Sequence, residues 1–195
     1  ASIPFVCAYC TCEDPDVPCI GYDDWHAAYE ATNALLRFAP DKLGMITGPI
    51  QSIHTLRRAN GFLQALQDRG VAYEISLVRA GNWDRDSGYQ LGSELIRAGA
   101  KAIFAQNDLI ATGVIDWCNQ NGVEVGRDIA LIGFDNREVS TVCRPTLSTV
   151  ALPLFEMGRT ASHVMLDMLA GRHPAQKDIM LACTIIQRES TGGSI

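Results

Sequence analysis

The most constraining feature of the sequence is a rhythm. Short apolar runs begin near residues 43, 73, 101 and 129, about 28–30 residues apart, and the first three lead into amphipathic stretches. That interval is the length of one strand plus one returning helix. It predicts consecutive βα units and an α/β fold built on a parallel sheet with covering helices. The expected strands are Leu43–Thr47, 73–78, 101–105 and 129–134. The first helix spans 52–69 and carries Leu56, Ala59, Leu63 and Leu66 on one face. The second spans about 87–98, with Leu91, Leu95 and Ile96. The third spans 108–121, with Asp108 as its N-cap and Gly122 closing its carboxyl end.

Further pieces flank this core. Residues 24–39 read as a helix with Trp25, Ala28, Tyr29, Thr32, Leu35 and Leu36 on one side, stopped by Pro40. Residues 153–170 read as another, with Pro153 in the first turn and Gly171 at the end. Its face is Leu154, Met157, Ala161, Val164, Met165, Met168 and Leu169, a packed core stripe. Runs at 147–150 and 179–186 bracket it as strands. Residues 3–8 read as a fully buried strand, yet apart from the brief 19–22 run no βα unit precedes it to pair with. One strand and one helix cannot bury themselves, so the chain reads as the later part of a larger two-lobed fold.

Length and charge narrow the function. A chain of 195 residues makes one domain, or two small lobes of a larger fold. The formal net charge of −6 argues against nucleic-acid binding through this chain's own surface, since affinity for DNA comes largely from Lys and Arg neutralising phosphates. No apolar run reaches the length of a membrane span, and the first residues carry no charged region of a secretory signal. Seven cysteines cannot all pair within one chain, which reads as reduced thiols and a cytoplasmic protein. Four of them, Cys7, Cys10, Cys12 and Cys19, are spaced C-x2-C-x-C-x6-C. Zinc sites usually use two separated pairs, so a structural role is the expectation and no metal or cofactor is called for.

In open α/β sheets ligands bind outside the carboxyl ends of the parallel strands. Those ends carry Gly48-Pro49 with Arg58 in the next helix, Gly81-Asn82-Trp83-Asp84, Gln106-Asn107-Asp108, and Asp135-Asn136-Arg137. Asp23 and Asp24 precede their helix in an equivalent position. A cation, an aromatic plate, carboxamides and carboxylates suit a small polyhydroxylated ligand. Each has a plainer reading: Asp24 and Asp108 as caps, Trp83 resting on the core, Arg58 on a solvated helix face. Catalysis has little support. No nucleophile elbow, zinc-protease motif or phosphate-cradling loop is present, and His26, His54, His163 and His173 are scattered.

Several runs, taken in order, resemble the lactose-repressor (LacI/GalR) family of transcriptional regulators. They are 102–113 with Asn107-Asp108, 122–136 with Gly133-Phe-Asp135-Asn136, 145–150, Met157-Gly158, the terminal Arg188-Glu-Ser190-Thr191, and upstream Gly48-Pro49 and Arg57-Arg58-Ala-Asn-Gly61-Phe62. The resemblance implies a periplasmic-binding-protein-like type I effector domain, with helices on both faces of its parallel sheet. One lobe is near-complete at 37–151 and 182–195, and a remnant of the other lies at 1–36 and 152–181. It implies a non-enzymatic sensor, a repressor that binds a sugar-like effector between lobes. Asp24 or Asp23, Arg58, Trp83, Asn107 and Asp135 would be its ligand contacts. DNA would be bound only through a headpiece absent from this chain, and the full-length protein would be a homodimer. Purine-sensing relatives place an Arg where this chain has Ser52, which argues against a purine. A periplasmic sugar-binding protein of the same fold is the alternative, and a sugar-processing enzyme a third reading.

Overall fold

The computed structural model describes residues 3–9, 12, 14–39, 42–172, 174 and 176–193. Cys10, Pro40 and His173, which entered the sequence reading, lie outside them. The chain forms two compact units: 24–151 with 185–195, and 1–23 with 152–184.

The larger unit is built on a six-stranded sheet. Its strands are β3 (Leu43–Thr47), β4 (Val78–Ala80), β5 (Ala102–Ala105), β6 (Ala130–Asp135), β7 (Ser148–Ala151) and β9 (Thr184–Ile186), in the order β4-β3-β5-β6-β7-β9. The ladders β4-β3, β3-β5, β5-β6 and β6-β7 are all parallel. Helices α1 (Asp24–Phe38) and α2 (Ile53–Asp68) pack on each other, as do α3 (Arg85–Arg97) and α4 (Asp108–Asn121), and the short α5 (Val139–Val142) lies against α4. The two pairs cover opposite faces. Ile103 and Ala105 of β5 join the cluster formed with α3 and α4, whereas Phe104 between them stacks on Phe62 of α2.

Three details depart from the sequence reading. The edge strand begins at Val78, not near 73, because 75–77 forms a 3-10 turn with Ile75 exposed. Helix α2 buries Thr55, Arg58, Gly61, Phe62, Ala65 and Leu66, leaving Leu56 and Leu63 exposed. The expected stripe is therefore rotated, because seating Phe62 on Phe104 turns Arg58 inward with it. Helix α1, expected to belong with the remnant up to residue 36, packs on α2 and the sheet of the larger unit. Its Ala28, Ala31 and Leu35 are fully buried, and Gly61 leaves room for the Trp25 carbonyl.

The smaller unit is a three-stranded parallel sheet, β1 (Cys7–Ala8), β2 (Cys19–Tyr22) and β8 (Asp178–Leu181), in the order β1-β2-β8. Helix α6 (Leu154–Leu169) packs on β1 and β2. The expected buried strand over 3–8 shrinks to Cys7–Ala8, with Ile3 88% exposed. Helix α6 fully buries only Met157 and Val164 of its expected stripe, and Leu154 and Leu169 are exposed. Three short strands offer too little surface to cover either segment. The expected strand over 179–186 divides into β8 and β9, one in each sheet. No helix among the described residues is long and apolar enough to cross a membrane.

The crossing of α3 and α4 depends on glycine. A Cβ on Gly88 would overlap the Ile110 carbonyl, and one on Gly113 the Arg85 carbonyl. Gly158, on α6, faces open space. Gly88→Ala and Gly113→Ala are each expected to destabilise the larger unit by roughly 1–3 kcal/mol or more through overpacking. Gly158→Ala should instead be neutral or stabilising by about 0.5–1 kcal/mol. Thermal denaturation of the three variants checks the contrast.

Candidate functional site

A polar cluster lies where β3, β5 and β6 end, and its centre is Arg58. This side chain is buried rather than solvated. Its Nε donates to Asp24 Oδ1 at 2.7 Å and its Nη1 to the Gln106 carbonyl at 2.5 Å. The guanidinium lies 3.7 Å from the centre of the Phe134 ring and 5.7 Å from that of Trp83, a cation held over one aromatic face beside a second. Asp24, at the first turn of α1, is buried, and its other oxygen lies 2.7 Å from His54 Nδ1. A carboxylate only accepts, so this contact places the imidazole proton on Nδ1.

The turns around Arg58 are tied to one another. Gln106, fully buried, accepts from the Gly48 N–H through Oε1 and donates to the Thr55 carbonyl through Nε2, both at 3.2 Å. Gly48 is required here because any Cβ would overlap the Trp83 ring. Asn107 is the N-cap of α4, accepting from the Ile110 N–H at 2.8 Å, and its Nδ2 donates to the Trp83 carbonyl at 3.3 Å. The sequence reading expects a ligand contact here; in the fold the same side chain caps α4 and holds the Trp83 loop.

Asp108, expected as the cap, is the first helical residue, and its carboxylate turns toward β6 and β7. It accepts from Thr149 Oγ1 at 2.5 Å and the Arg137 N–H at 2.6 Å. Burial pushes its pKa up to about 7, against the lowering effect of those two bonds.

Asp135 completes the cluster. Its Oδ1 is buried and accepts no hydrogen bond, and it stands 3.8 Å from Arg58 Nη2, too far for one. Its backbone has φ +105°, and Asn136 follows at +53°. Burial raises its pKa to about 6, with the charges of Arg58 and Arg137 opposing. Side chains in such a backbone region cluster at ligand clamps and active sites.

The fold thus brings together Asp24, Arg58, Trp83, Asn107 and Asp135 in the larger unit. Asp23 belongs to the smaller unit, where its N–H donates to the Leu181 carbonyl. The sequence reading sets His54 aside as scattered, and it places Gln106 among the strand-end polar residues without giving it a role. The spacing of His54 and Arg58, four residues apart on a helix, was the available signal for one face. Among the described residues no group of three or more His, Cys, Asp or Glu could hold a metal ion. Cys19 is buried in β2, its Sγ accepting from the Cys12 N–H.

A parallel sheet with a polar cluster at its strand ends has the layout on which open α/β proteins bind their ligands. Residues 32–191 match the "Periplasmic binding protein-like domain". The HTH-type transcriptional repressor CytR of Escherichia coli K12 is 29% identical over 190 residues, 96% of this chain and 56% of the repressor. A regulatory protein of the LacI family from Chloroflexus aggregans superposes with a TM-score of 0.90 at 27% identity, covering 98% of this chain and 69% of that one. The transcriptional regulator CelR in complex with cellobiose gives 0.86 at 26% identity, covering 96% and 58%. The chain belongs to the periplasmic-binding-protein-like domain family, in the form carried by LacI-family transcriptional regulators. It spans about half the length of the curated relatives it matches.

Removing one partner of the buried pair strands the other. Asp24→Ala leaves the Arg58 guanidinium without its carboxylate and is expected to cost about 3–5 kcal/mol of stability. Asp24→Ala combined with Arg58→Met should recover much of that loss. Urea denaturation of both variants measures it.

Proposed function

We propose that this chain is the effector-sensing part of a LacI-type transcriptional repressor. It would take a neutral, polyhydroxylated small molecule at the carboxyl ends of β3, β5 and β6. The observation that carries this reading is the buried Oδ1 of Asp135, which accepts no hydrogen bond and stands 3.8 Å from Arg58 Nη2. A buried acceptor without a donor is costly, and a ligand hydroxyl supplies the donor. Trp83 and Phe134 provide the apolar faces that a sugar ring packs against.

Charge selects the ligand class. The Arg58 Nε is engaged by Asp24, and Asp135 adds a second carboxylate 3.8 Å from Nη2, so this guanidinium is already offset. A sugar acid or sugar phosphate would add an anion beside those two carboxylates. The protein acts as a binding module rather than an enzyme, and its relatives are regulators. DNA contact would come through a headpiece outside these residues, as a cytoplasmic homodimer in the full-length protein.

A thermal-shift series with cellobiose, D-ribose and other neutral sugars, each beside its corresponding sugar acid, tests the class. A neutral sugar at 100 times its dissociation constant should add about 2.7 kcal/mol. Binding of the acids alone would overturn the reading. The pH dependence has a defined sign. A hydroxyl donates better to the ionised Asp135, so affinity should be full above its pKa of about 6. It should fall about tenfold by pH 5, following proton linkage. Asp135→Asn should weaken binding and flatten that profile in calorimetric titrations.

A further inference from the structure

We propose that Asp108 and Thr149, with Arg188, form a positioning device that holds Asp135 in the backbone conformation presenting its carboxylate to Arg58 and the effector. This inference rests on the reading of Asp135 as the ligand acceptor and names the residues that set it.

Two successive non-glycine residues at positive φ, Asp135 and Asn136, do not hold themselves there. The surrounding structure has to over-determine the turn, and the restraints fall on the two residues that follow Asp135. The Arg137 N–H donates to Asp108 Oδ2 at 2.6 Å. The Asn136 N–H donates to Thr149 Oγ1 at 3.3 Å, and that hydroxyl donates to Asp108 Oδ1 at 2.5 Å. One relay of backbone amide, hydroxyl and carboxylate therefore spans β6, β7 and α4. From the other side Arg188 Nη2 donates to Asn136 Oδ1 at 2.8 Å. Its Nη1 donates to Ser140 Oγ at 3.0 Å and to the Leu147 carbonyl at 2.6 Å.

Asp108 is an expensive residue for a merely structural place. It is fully buried, and it does not cap its own helix, because Asn107 does. The sheet makes room for it with Gly133, where any side chain would overlap its Oδ1. Its two acceptor bonds are both directed at the turn, one of them through Thr149. Freed from them, the turn relaxes toward negative φ and the Asp135 carboxylate leaves Arg58.

The test compares Asp108→Asn and Thr149→Val with the parent chain, first without any ligand. Amide hydrogen exchange at Asn136 and Arg137 should accelerate at least tenfold, while β3 and β5 amides stay protected. The Asp135 carboxyl, followed by carbon NMR, should titrate below the parent's midpoint of about 6 as it becomes solvated. Unchanged exchange and an unchanged Asp135 midpoint in both variants would overturn the proposal, whatever the effector is. A uniform loss of protection across the sheet would overturn it too, since Asp108 would then be a general stabiliser. The reading of Asp135 as ligand acceptor is judged separately, by cellobiose and D-ribose titrations of the parent and of Asp135→Asn.

Discussion

The larger unit is organised around a cation that water does not reach. Arg58 is buried, bonded to Asp24 on one side and to the Gln106 carbonyl on the other, with Phe134 beneath it. A buried charge is tolerable only when it is paired and hydrogen-bonded, so each partner is bound to its place. Asp24 starts α1, Arg58 lies in α2, Gln106 ends β5 and Phe134 lies in β6. One guanidinium therefore sets the rotation of α2, the docking of α1 against it, and the arrangement of two strand ends. The rotated apolar stripe of α2 follows from the same fact: Leu56 and Leu63 face outward because Arg58 and Phe62 face inward.

Around this centre amides and a glycine hold the turns after β3 and β4. Gln106 joins the turn after β3 to α2, Asn107 joins α4 to the Trp83 loop, and Gly48 lets the Trp83 ring close onto the backbone. Every polar atom spent this way is one fewer for a ligand, so the cluster divides into groups that build the site and groups that face into it. Asp135 falls in the second class, because its buried Oδ1 accepts no hydrogen bond. Asp108 falls in the first, with both oxygens occupied. Two carboxyls raised by the same cause, burial, thus differ in what they are available to do.

Much of the architecture was legible in the residues alone. The βα interval located the strands of the sheet to within a few residues, because strand and helix lengths and the return connection leave little freedom in a parallel unit. The polar residues at strand ends could be picked out for the same reason, since that is where an open sheet exposes its loops. The family was legible from ordered motifs, which are local in sequence.

Only the tertiary structure decided how those residues divide their work. Periodicity favoured the leucines of α2 over Arg58, because a hydrophobic pattern cannot register a cation buried against a distant carboxylate. Asn107 takes the cap expected of Asp108, and the partner that claims Asp108, Thr149, lies 41 residues away. Helix α1 went to the larger unit because Ala28 and the backbone at Trp25 and Tyr29 meet Gly61 of α2, a fit between surfaces that no single segment carries. The apolar residues of 3–8 and 153–170 were read as core from their composition. Whether an apolar residue is buried depends on what stands beside it, and a three-stranded sheet covers few of them. The sequence alone determined which elements form and where polar groups collect. The tertiary structure decided which of those groups are consumed in holding the turns, because hydrogen bonding at the strand ends is settled by contacts far apart along the chain.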